Sequence, residues 1–437
     1  MNSHRRGLCP GILDPMPTGD GLLARLLPTG PLSIDTLIAL CDASQVHGNG
    51  IVEITQRGSL QFRGLSPGSA PGFAQRVMAL GLGTDGVPPL LASPLMGLDA
   101  RECFDLRPLV TALRAALANQ PALTSLGPKV SVLVDGGGAL HLDGVYGDLR
   151  LQAGAEGVYL SIAGTAATAT GLGWVGADQV ARVIVKLLAR IAERGLPARA
   201  RDFANPADVQ ALRALLVGQL SETTPPRPRP PAETIGNHVL NTGKRAIGVA
   251  VAFGYVEAAI LQRLARRAAA CGAASILPAP DRSMLMIGLA ADAAAELTAA
   301  AASAGFLVQP DDPRRFVVAC AGAPACDSAQ IYTRKLAPAI AEAARPLLDG
   351  SLTIHVSGCT KGCAHPGPAA LTFIGPNRLV IGGRAGDTPQ CVASVSDFIA
   401  GVSRLGVHRQ QNSEGTSLDI VSKLGETGVL AAMRARP

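Results

Sequence analysis

A proline-rich segment near the middle of the chain restricts how the rest of it can fold. Residues 223–231 read Thr-Thr-Pro-Pro-Arg-Pro-Arg-Pro-Pro. Proline has no amide hydrogen and a fixed backbone angle, so this segment can form neither a helix nor a central strand. We expect an extended linker over residues 221–234. It would divide a 437-residue chain that is long enough for two to four domains.

The sequence on either side of the linker follows the same pattern of apolar residues. The first half predicts strands and helices in the order 21–26, 34–46, 50–54, 59–62 and 71–80. The second half predicts a strand at 247–253, a helix at 256–271, strands at 275–277 and 283–287, an alanine-rich helix and a strand at 306–308. The second half therefore predicts a β-α-β-β-α-β unit, as in ferredoxin-like folds, and the first half predicts its counterpart up to the second helix.

The segments that follow these units also correspond. A helix at 106–118 and a strand at 130–134 lead into Asp135-Gly136-Gly137-Gly138, whereas a helix at 328–348 and a strand at 352–356 lead into Ser357-Gly358-Cys359. The glycines stand where the second half has cysteines. We interpret the repeat as an ancestral duplication, which predicts an α+β chain with pseudo-twofold symmetry.

Four cysteines near the C-terminus form two pairs. Five residues separate Cys320 from Cys326, three separate Cys359 from Cys363, and each pair follows a predicted strand. A 4Fe-4S cluster needs four converging thiolates. A zinc site is the alternative, although zinc pairs are usually two to four residues apart; disulfides and unrelated thiols also remain open. The isolated cysteines are expected to be ordinary core residues: Cys9, Cys41, Cys103, Cys271 and Cys391.

Composition argues against several classes of protein. The net charge is +6, but aromatic residues make up only 3% and no run of basic residues is dense, so we expect no nucleic-acid partner. No apolar run approaches the 18 or more residues of a membrane span. The basic N-terminus continues into Pro10, Asp14 and Pro15 rather than an apolar run. We therefore expect no signal peptide and a cytoplasmic protein.

Two segments resemble the sulfite and nitrite reductase haemoprotein family. Residues 54–61, Ile-Thr-Gln-Arg-Gly-Ser-Leu-Gln, are similar to the segment whose arginine binds a sirohaem carboxylate, which implies that role for Arg57. Pro128-Lys129 resembles the start of the family's lysine-bearing strand. The family's second lysine is Ser131 here, and its Asn-Arg-Asn-Val segment is not recognisable near residues 91–98. Sirohaem is therefore not expected as a cofactor.

The resemblance implies a fold and its division into segments. Ferredoxin-like half-domains would occupy residues 8–85 and 235–310. Sulfite-reductase-like α/β domains would occupy residues 88–220, without a cluster, and 311–430, with the 4Fe-4S cluster.

Three further segments are similar to the oxygen-dependent branch of this family, which acts in cobalamin synthesis. They are Arg-Gly-Leu-Cys-Pro-Gly at 6–11, Met-Pro-Thr-Gly-Asp-Gly-Leu-Leu-Ala-Arg at 16–25, and Ser-Gly-Cys-Thr-Lys-Gly-Cys-Ala-His-Pro at 357–366. The resemblance implies a monooxygenase that converts precorrin-3A to precorrin-3B by meso-carbon hydroxylation with γ-lactone formation. The alternatives are a sirohaem-dependent sulfite or nitrite reductase, and a non-catalytic tetrapyrrole or cluster carrier.

A tetrapyrrole edged with carboxylates needs a cleft ringed by cations, and arginine binds a carboxylate through two hydrogen bonds. We predict that Arg57, Lys129, Arg25 and Lys361 bind the substrate. Other cations near predicted strand ends are Arg63, Lys244 and Arg245. For each of the seven, the alternative is a solvated surface charge.

The resemblance also implies a mononuclear non-haem iron that would bind dioxygen. Such iron typically takes two histidines and one carboxylate. The candidates are His141 and Asp143, expected on one face of a strand, and His365; hydrogen-bonding roles are the alternative for each histidine. Because no Gly-rich dinucleotide fingerprint follows a strand and opens a helix, we expect an external NAD(P)H-linked electron donor protein.

Overall fold

The computed structural model describes residues 10–83, 88–118, 120–155, 157–221, 224–412 and 414–434. Cys9, predicted to be a core residue, lies outside them. The first half contains the strands β1 (Met16–Thr18), β2 (Gly21–Leu26), β3 (Leu32–Ser33), β4 (Ile51–Ile54), β5 (Leu60–Leu65), β6 (Leu90–Ala92), β7 (Val132–Asp135), β8 (Gly147–Gly154), β9 (Gly157–Gly164) and β10 (Thr170–Val175). Its helices are α1 (Ile34–His47), α2 (Ala70–Ala79), α3 (Arg107–Leu117), α4 (Val180–Ala192) and α5 (Pro206–Leu215).

The second half repeats this order of elements. Its strands are β11 (Gly236–Val239), β12 (Arg245–Ala250), β13 (Tyr255–Glu257), β14 (Ser275–Ala279), β15 (Ser283–Leu289), β16 (Val317–Ala319), β17 (Ile354–Ser357), β18 (Ala369–Ile374), β19 (Arg378–Gly383) and β20 (Cys391–Val392). Its helices are α6 (Ala258–Ala270), α7 (Ala291–Ser303), α8 (Thr333–Ala343), α9 (Val395–Gln411) and α10 (Ser417–Arg434).

The two ferredoxin-like half-domains exchange a strand. Their sheets run β1-β2-β5-β4-β13 and β11-β12-β15-β14-β3, so each ends in a strand from the other half. In these edge pairs Tyr255 lies opposite Glu53 and Ser275 lies opposite Ser33. One continuous core joins both half-domains and buries side chains such as Leu37, Phe62, Leu261 and Met284. The half-domains therefore fold as one unit with pseudo-twofold symmetry, which confirms the predicted duplication.

The remaining two sheets share one topology. In the first, β6, β7 and β8 are parallel and β9 and β10 are antiparallel; in the second, β16, β17 and β18 are parallel and β19 and β20 are antiparallel. We call the sheet β6–β10 with α3, α4 and α5 the first α/β module, and the sheet β16–β20 with α8, α9 and α10 the second. Each has its own core. The predicted domain boundaries stay predictions.

Some predicted elements differ from those observed. The strand predicted at 306–308 is a single bridge between Leu307 and Ala250. The helix predicted at 328–348 begins only at Thr333. Its first residues are used otherwise, since the amides of Ala329 and Gln330 donate to Cys326 O at 3.0 Å and Gly358 O at 2.9 Å. The bond from Gln330 N joins the two cysteine loops, and the bond from Ala329 N closes a turn within the first loop.

Parallel strands point their carboxyl ends to the same edge of a sheet, where ligands bind in α/β folds. Here the loops that follow β7, β16 and β17 face one cleft between the modules. Within the described ranges, none of the helices combines the length and the apolar content that a membrane crossing requires.

Candidate active site

One large cleft receives residues from all parts of the fold. Its volume is about 1360 Å³, and it is lined by the turns between β4 and β5 and between β14 and β15, by both cysteine loops, and by the proline-rich linker. Typical small-molecule pockets have volumes of about 300 to 1,000 Å³. The cleft is therefore large enough for an extended ligand.

The lining of the cleft is strongly cationic. Its acidic members are Glu53, Asp143 and Asp281. Its basic members are Arg25, Arg57, Arg63, Arg150, Arg227, Arg229, Arg282, Arg334 and Lys361. A cleft lined by one sign of charge raises the local concentration of oppositely charged ligands. This cleft suits a polyanion.

Arg57 lines the cleft, and its role as a carboxylate ligand stays a prediction. It is in the turn between β4 and β5 and reaches the first α/β module, where its guanidinium donates to Tyr146 O at 2.8 Å and to Ser131 Oγ at 3.4 Å. Ser131 is the position at which the family pattern has its second lysine. Arg57 thus joins the central half-domains to the first module at the cleft wall.

Arg282 occupies the equivalent turn of the second half and was not predicted. It lies between β14 and β15, as Arg57 lies between β4 and β5, and Arg57 forms a bridge with Pro280. Gln56 and Asp281 join the two turns, with Asp281 N donating to Gln56 O at 3.0 Å. Superposing the two predicted repeats would have paired these turns and identified Arg282.

Of the other predicted substrate-binding residues, the structure brings two to the cleft. Arg25 lines it, and so does Lys361, whose Nζ donates to Ser328 Oγ at 2.7 Å. Lys129 does not line it, because Lys129 is exposed in a turn that ends before β7 begins. Lys244 and Arg245 also lie outside the cleft lining.

Arg63 is buried and has a structural role. Its side chain is 4% exposed, and its guanidinium pairs with Asp20 at 3.0 Å and with Glu53 at 3.4 Å. It also donates to Ala325 O, next to Cys326 in the first cysteine loop. Burial opposes the charge on Arg63, but Glu53 and Asp20 outweigh it and raise the Arg63 pKa. Arg63 therefore fixes the first cysteine loop to β5.

The four predicted ligands line one end of the cleft. Cys320 and Cys326 lie in the loop after β16, and Cys359 and Cys363 lie in the loop after β17. All four are free thiols. Burial raises the pKa of the Cys363 thiol, and the other three cysteines raise it further while Lys361 lowers it. The four thiols are therefore close enough to influence one another electrostatically.

The spacing of the sulfurs argues against zinc. Four sulfurs around zinc lie about 3.8 Å apart, because each Zn–S bond is about 2.3 Å long. Among the described residues, the one group of three or more candidate ligands whose atoms all lie within 4.8 Å of one another is Asp135, His141 and Asp143. No three cysteine sulfurs are therefore that close, and the arrangement suits a larger group.

The two cysteine loops hold each other in place. Gly358 N donates to Cys320 Sγ at 3.2 Å. A Cβ atom at position 358 would lie 2.6 Å from the Cβ of Ala329, so this contact requires glycine. Backbone N–H donation to a ligating sulfur is one of the interactions that tune iron-sulfur clusters.

Two of the three predicted iron ligands, His141 and Asp143, lie together, and His365 does not join them. Residues 141–143 form a loop and not a strand, because Asp135 accepts from Leu142 N at 2.9 Å and Arg150 donates to Leu142 O at 3.1 Å. His141 Nδ1 does lie 3.4 Å from Asp143 Oδ2. However, Asp135 and Asp143 both pair with Arg229, so a guanidinium already neutralises this group.

His365 belongs to a different part of the cleft wall. Its ring lies edge-on against that of His355, 5.6 Å between centroids, and its Nε2 lies 3.1 Å from Pro368 O. In the described part of the chain, the residues do not provide two histidines and one carboxylate around one point. A mononuclear iron does not fit the predicted set, and we derive no step through it.

The proline-rich linker forms part of the cleft wall. Trp174 Nε1 donates to Thr224 O at 3.0 Å, His141 Nε2 lies 2.8 Å from Pro230 O, and Arg229 forms the ion pairs with Asp135 and Asp143. Exposed Arg227 faces the cleft from the same segment. Residues 224–234 form neither helix nor strand, and they contribute to the cleft lining, which composition alone did not indicate.

Comparisons with known proteins agree with this architecture. Residues 14–80 match the family model of the nitrite/sulfite reductase ferredoxin-like half domain. The solved NirA protein of Mycobacterium tuberculosis has the same fold, with a TM-score of 0.77 at 20% identity over 93% of this chain and 84% of that one. A ferredoxin–nitrite reductase of Synechococcus elongatus is 28% identical and aligns with 81% of this chain and 76% of its own.

A precorrin-3B synthase of Sinorhizobium sp is more similar. It is 39% identical over 446 residues, which cover 98% of this chain and 95% of the relative. That coverage includes both half-domains, both modules and the linker. The chain belongs to the precorrin-3B synthase family.

Proposed function

We propose that this chain is an iron-sulfur monooxygenase that converts precorrin-3A to precorrin-3B in aerobic cobalamin synthesis. It would hydroxylate the meso carbon that ring contraction later expels and close a γ-lactone from a ring A acetate. The observation that carries the proposal is a cationic cleft of about 1360 Å³ that ends at four free thiols. Similarity to a precorrin-3B synthase over nearly the whole chain supports it.

The substrate's carboxylates would pair with arginines at the cleft wall. Arg57 and Arg25 approach from the first half-domain, and Arg227 approaches from the linker. The faces of the macrocycle are apolar and would lie against side chains such as Leu23, Leu140 and Phe253, which also line the cleft. Charge at the rim and apolar contact at the face would fix the orientation of the macrocycle.

The four cysteines would hold a 4Fe-4S cluster. Support comes from four free thiols on two mutually bonded loops and from sulfur spacings wider than a zinc site needs. When bound, the cluster supplies single electrons to the cleft. Gly358 N would donate to a ligating sulfur, and Lys361 would hold the first cysteine loop through Ser328. Free thiols also suit a cytoplasmic enzyme.

The reaction balances with dioxygen, two electrons and two protons. One oxygen atom would become the hydroxyl oxygen on the meso carbon, and the other would leave as water. The π bond between the meso carbon and the adjacent ring A carbon would break, the ring A acetate would bond to that ring carbon through a carboxyl oxygen, and the carboxyl proton would go to the new hydroxyl. Both lactone oxygens would then come from the substrate's own acetate. The electrons would come from an external NAD(P)H-linked donor protein.

Isotope labelling tests the proposal. Purified protein supplied with precorrin-3A, an electron donor and heavy dioxygen should give a product whose new hydroxyl carries the label, and strict anaerobiosis should stop turnover. Label arriving from water, or turnover without dioxygen, would contradict the monooxygenase assignment. Intense sirohaem absorption bands in the purified protein would instead favour the reductase alternative.

A further inference from the structure

Arg282 is held in an unusual backbone conformation. Asp281 and Arg282 form the turn between β14 and β15 with φ angles of +62° and +57°. Two successive positive φ values are typical of a type I′ hairpin turn, which favours asparagine and glycine. In the equivalent turn of the first half, the positive φ of +76° falls on Gly58. A non-glycine residue in this region is uncommon and indicates that its side chain is needed there.

The charge of Arg282 lacks a close counter-ion among the described residues. Its side chain is 14% exposed, and the nearest carboxylate oxygen, on Asp281, lies 3.9 Å away. That carboxylate also pairs with Arg315 at 3.1 Å. Burial lowers the pKa of the Arg282 guanidinium, with Asp281 only partly opposing it. Arginine nevertheless stays protonated in proteins, so this turn holds a poorly compensated buried cation.

The guanidinium of Arg282 faces the second cysteine loop. It donates to Ala364 O, the carbonyl next to Cys363, at 3.2 Å. The neighbouring His355 is neutral at physiological pH, because burial, His365 and Arg282 together lower its pKa to about 4. A buried charge whose nearby counter-ion is shared with another cation is costly unless a further opposite charge accompanies it. The expected partner is therefore an anion at this loop.

We infer that Arg282 is the electrostatic partner of the iron-sulfur cluster: it fixes the second cysteine loop through Ala364 O, and its charge stabilises the reduced cluster. This inference rests on the proposed cluster. Each electron added to a four-thiolate cluster increases its negative charge, and cluster potentials depend on nearby charge, hydrogen bonds and exposure. A buried cation hydrogen-bonded to the loop that carries Cys363 should favour reduction of the cluster.

The pseudo-symmetric Arg57 provides a matched control. It occupies the equivalent turn and lines the same cleft, but it reaches Ser131 and Tyr146 in the module without the four cysteines. If Arg282 acts locally on the cluster, its removal should change the cluster potential and the removal of Arg57 should not.

The test is a redox titration of cluster-loaded protein, followed by electron paramagnetic resonance. Arg282→Gln keeps a donor for Ala364 O but removes the charge, so the equilibrium constant for one-electron reduction should fall at least tenfold, a shift of about 59 mV to more negative potential. Arg282→Lys should shift less. Asp281→Asn, which removes the nearest carboxylate, should shift the potential the opposite way. Arg57→Gln should leave it unchanged.

Several outcomes would overturn the inference. An unchanged potential in Arg282→Gln, or an equal shift in Arg57→Gln, would show that the charge does not act on the cluster. A variant with weaker tetrapyrrole binding and a normal potential would make Arg282 a carboxylate ligand instead. If Arg282→Gln assembles no cluster, the Asp281→Asn variant decides the outcome. A cluster potential in that variant below the wild-type value contradicts the inference. Wild-type protein without any cluster would refute the proposed function itself.

Discussion

The two α/β modules share a strand order, but different side chains hold together the loops that follow their first two parallel strands. In the second module, the loops after β16 and β17 carry the four cysteines and join through Gly358 N and Cys320 Sγ. In the first module, carboxylates form the corresponding contacts. Asp99 accepts from Ala139 N and joins the loops after β6 and β7, and Glu102 accepts from Gly97 N within the loop after β6. A duplicated fold can thus keep its loop geometry while side-chain hydrogen bonds replace the ligands of a cofactor.

One cysteine remains in the first module at a related place. Cys103 N donates to Gly136 O at 2.9 Å, and its sulfur lies 2.8 Å from where a Cβ of Gly137 would be. The loop after β6 therefore still meets the glycine loop after β7 through a thiol-bearing residue. A single thiol cannot hold a four-iron cluster, so we expect a cluster in the second module and none in the first.

The largest expected effect comes from removing one thiol in each module. Cys326→Ser should abolish the broad visible absorbance of the cluster, since a hydroxyl is a poor ligand for cluster iron. Cys103→Ser should leave it unchanged. Absorbance and acid-labile sulfide of both purified variants decide the outcome, and a full cluster in Cys326→Ser would end the ligand assignment.

Removing Arg63 should destabilise the fold strongly. Arg63→Met leaves Asp20 without its buried partner, Glu53 with Arg334 as its remaining partner, and Ala325 O without its donor. Breaking a buried ion pair costs about 3 to 5 kcal/mol. Calorimetric unfolding should show this loss, with lower cluster retention as well.

The matched control for Arg63 lies in the first module. The side chain of Arg101 is 74% exposed and lies 3.7 Å from Asp99, and exposed pairs contribute about 0 to 1 kcal/mol. Arg101→Met should therefore unfold close to wild type. Equal losses in the two variants would contradict the structural role of Arg63.

Replacing Arg57 should weaken tetrapyrrole binding without changing the cluster spectrum. A lost hydrogen bond to a charged group costs about 1.5 to 3 kcal/mol, roughly one to two orders of magnitude in affinity. Arg57→Ala is best compared with Lys129→Ala, because Lys129 is exposed outside the cleft. Fluorescence or absorbance titration should show weaker binding in the first variant alone; equal affinities would make Arg57 a structural residue.

The smallest predicted effect concerns pH and the first module. Burial, with smaller contributions from Asp99, Asp105 and Asp135, raises the pKa of Glu102 to about 7, although a hydrogen bond from Gly97 opposes this rise. The folded state then holds this proton more tightly than the unfolded chain does. Its contribution to stability is fully present below about pH 4.5 and is lost as pH rises through about 7.

Glu102→Gln should remove this pH dependence. The carboxyl is only half-buried, so solvent screening leaves about 1 kcal/mol of extra stability for the variant at pH 8 and none at pH 4. The single tryptophan, Trp174, lies on β10, so its fluorescence during urea unfolding reports this module. Exposed Glu414→Gln is the control. A variant that gains nothing at pH 8 would contradict the role of Glu102.

The helices, the strands and the internal repeat could be predicted from local sequence patterns. The strand at Gly21–Leu26 was predicted to the residue, and α1 and α6 were placed within two residues at each end. The four cysteines were recognised because spacing and preceding strands are local features. Local patterns could not reveal the strand exchange, since β3 pairs with β14 across more than 200 residues.

The candidate site was harder to predict, because residues far apart in the sequence form it. Arg229 was missed because its partners, Asp135 and Asp143, lie more than 80 residues away in sequence. Lys129 lies outside the cleft lining because a turn intervenes before β7, so its predicted substrate contact, which rests on motif position, stays a prediction. His141 and Asp143 do lie together, but a linker arginine that no spacing rule could place pairs with Asp143.

Acid-labile sulfide per chain, measured with the absorption spectrum of anaerobically purified protein, tests the account most directly. A cluster in the second module alone predicts about four sulfides per chain and a broad visible absorbance without intense haem bands. About eight sulfides would place a cluster in both modules and contradict the assignment of the cluster to the second module alone. Protein with zinc and no sulfide, or with the intense bands of sirohaem, would contradict the proposed chemistry of the cleft.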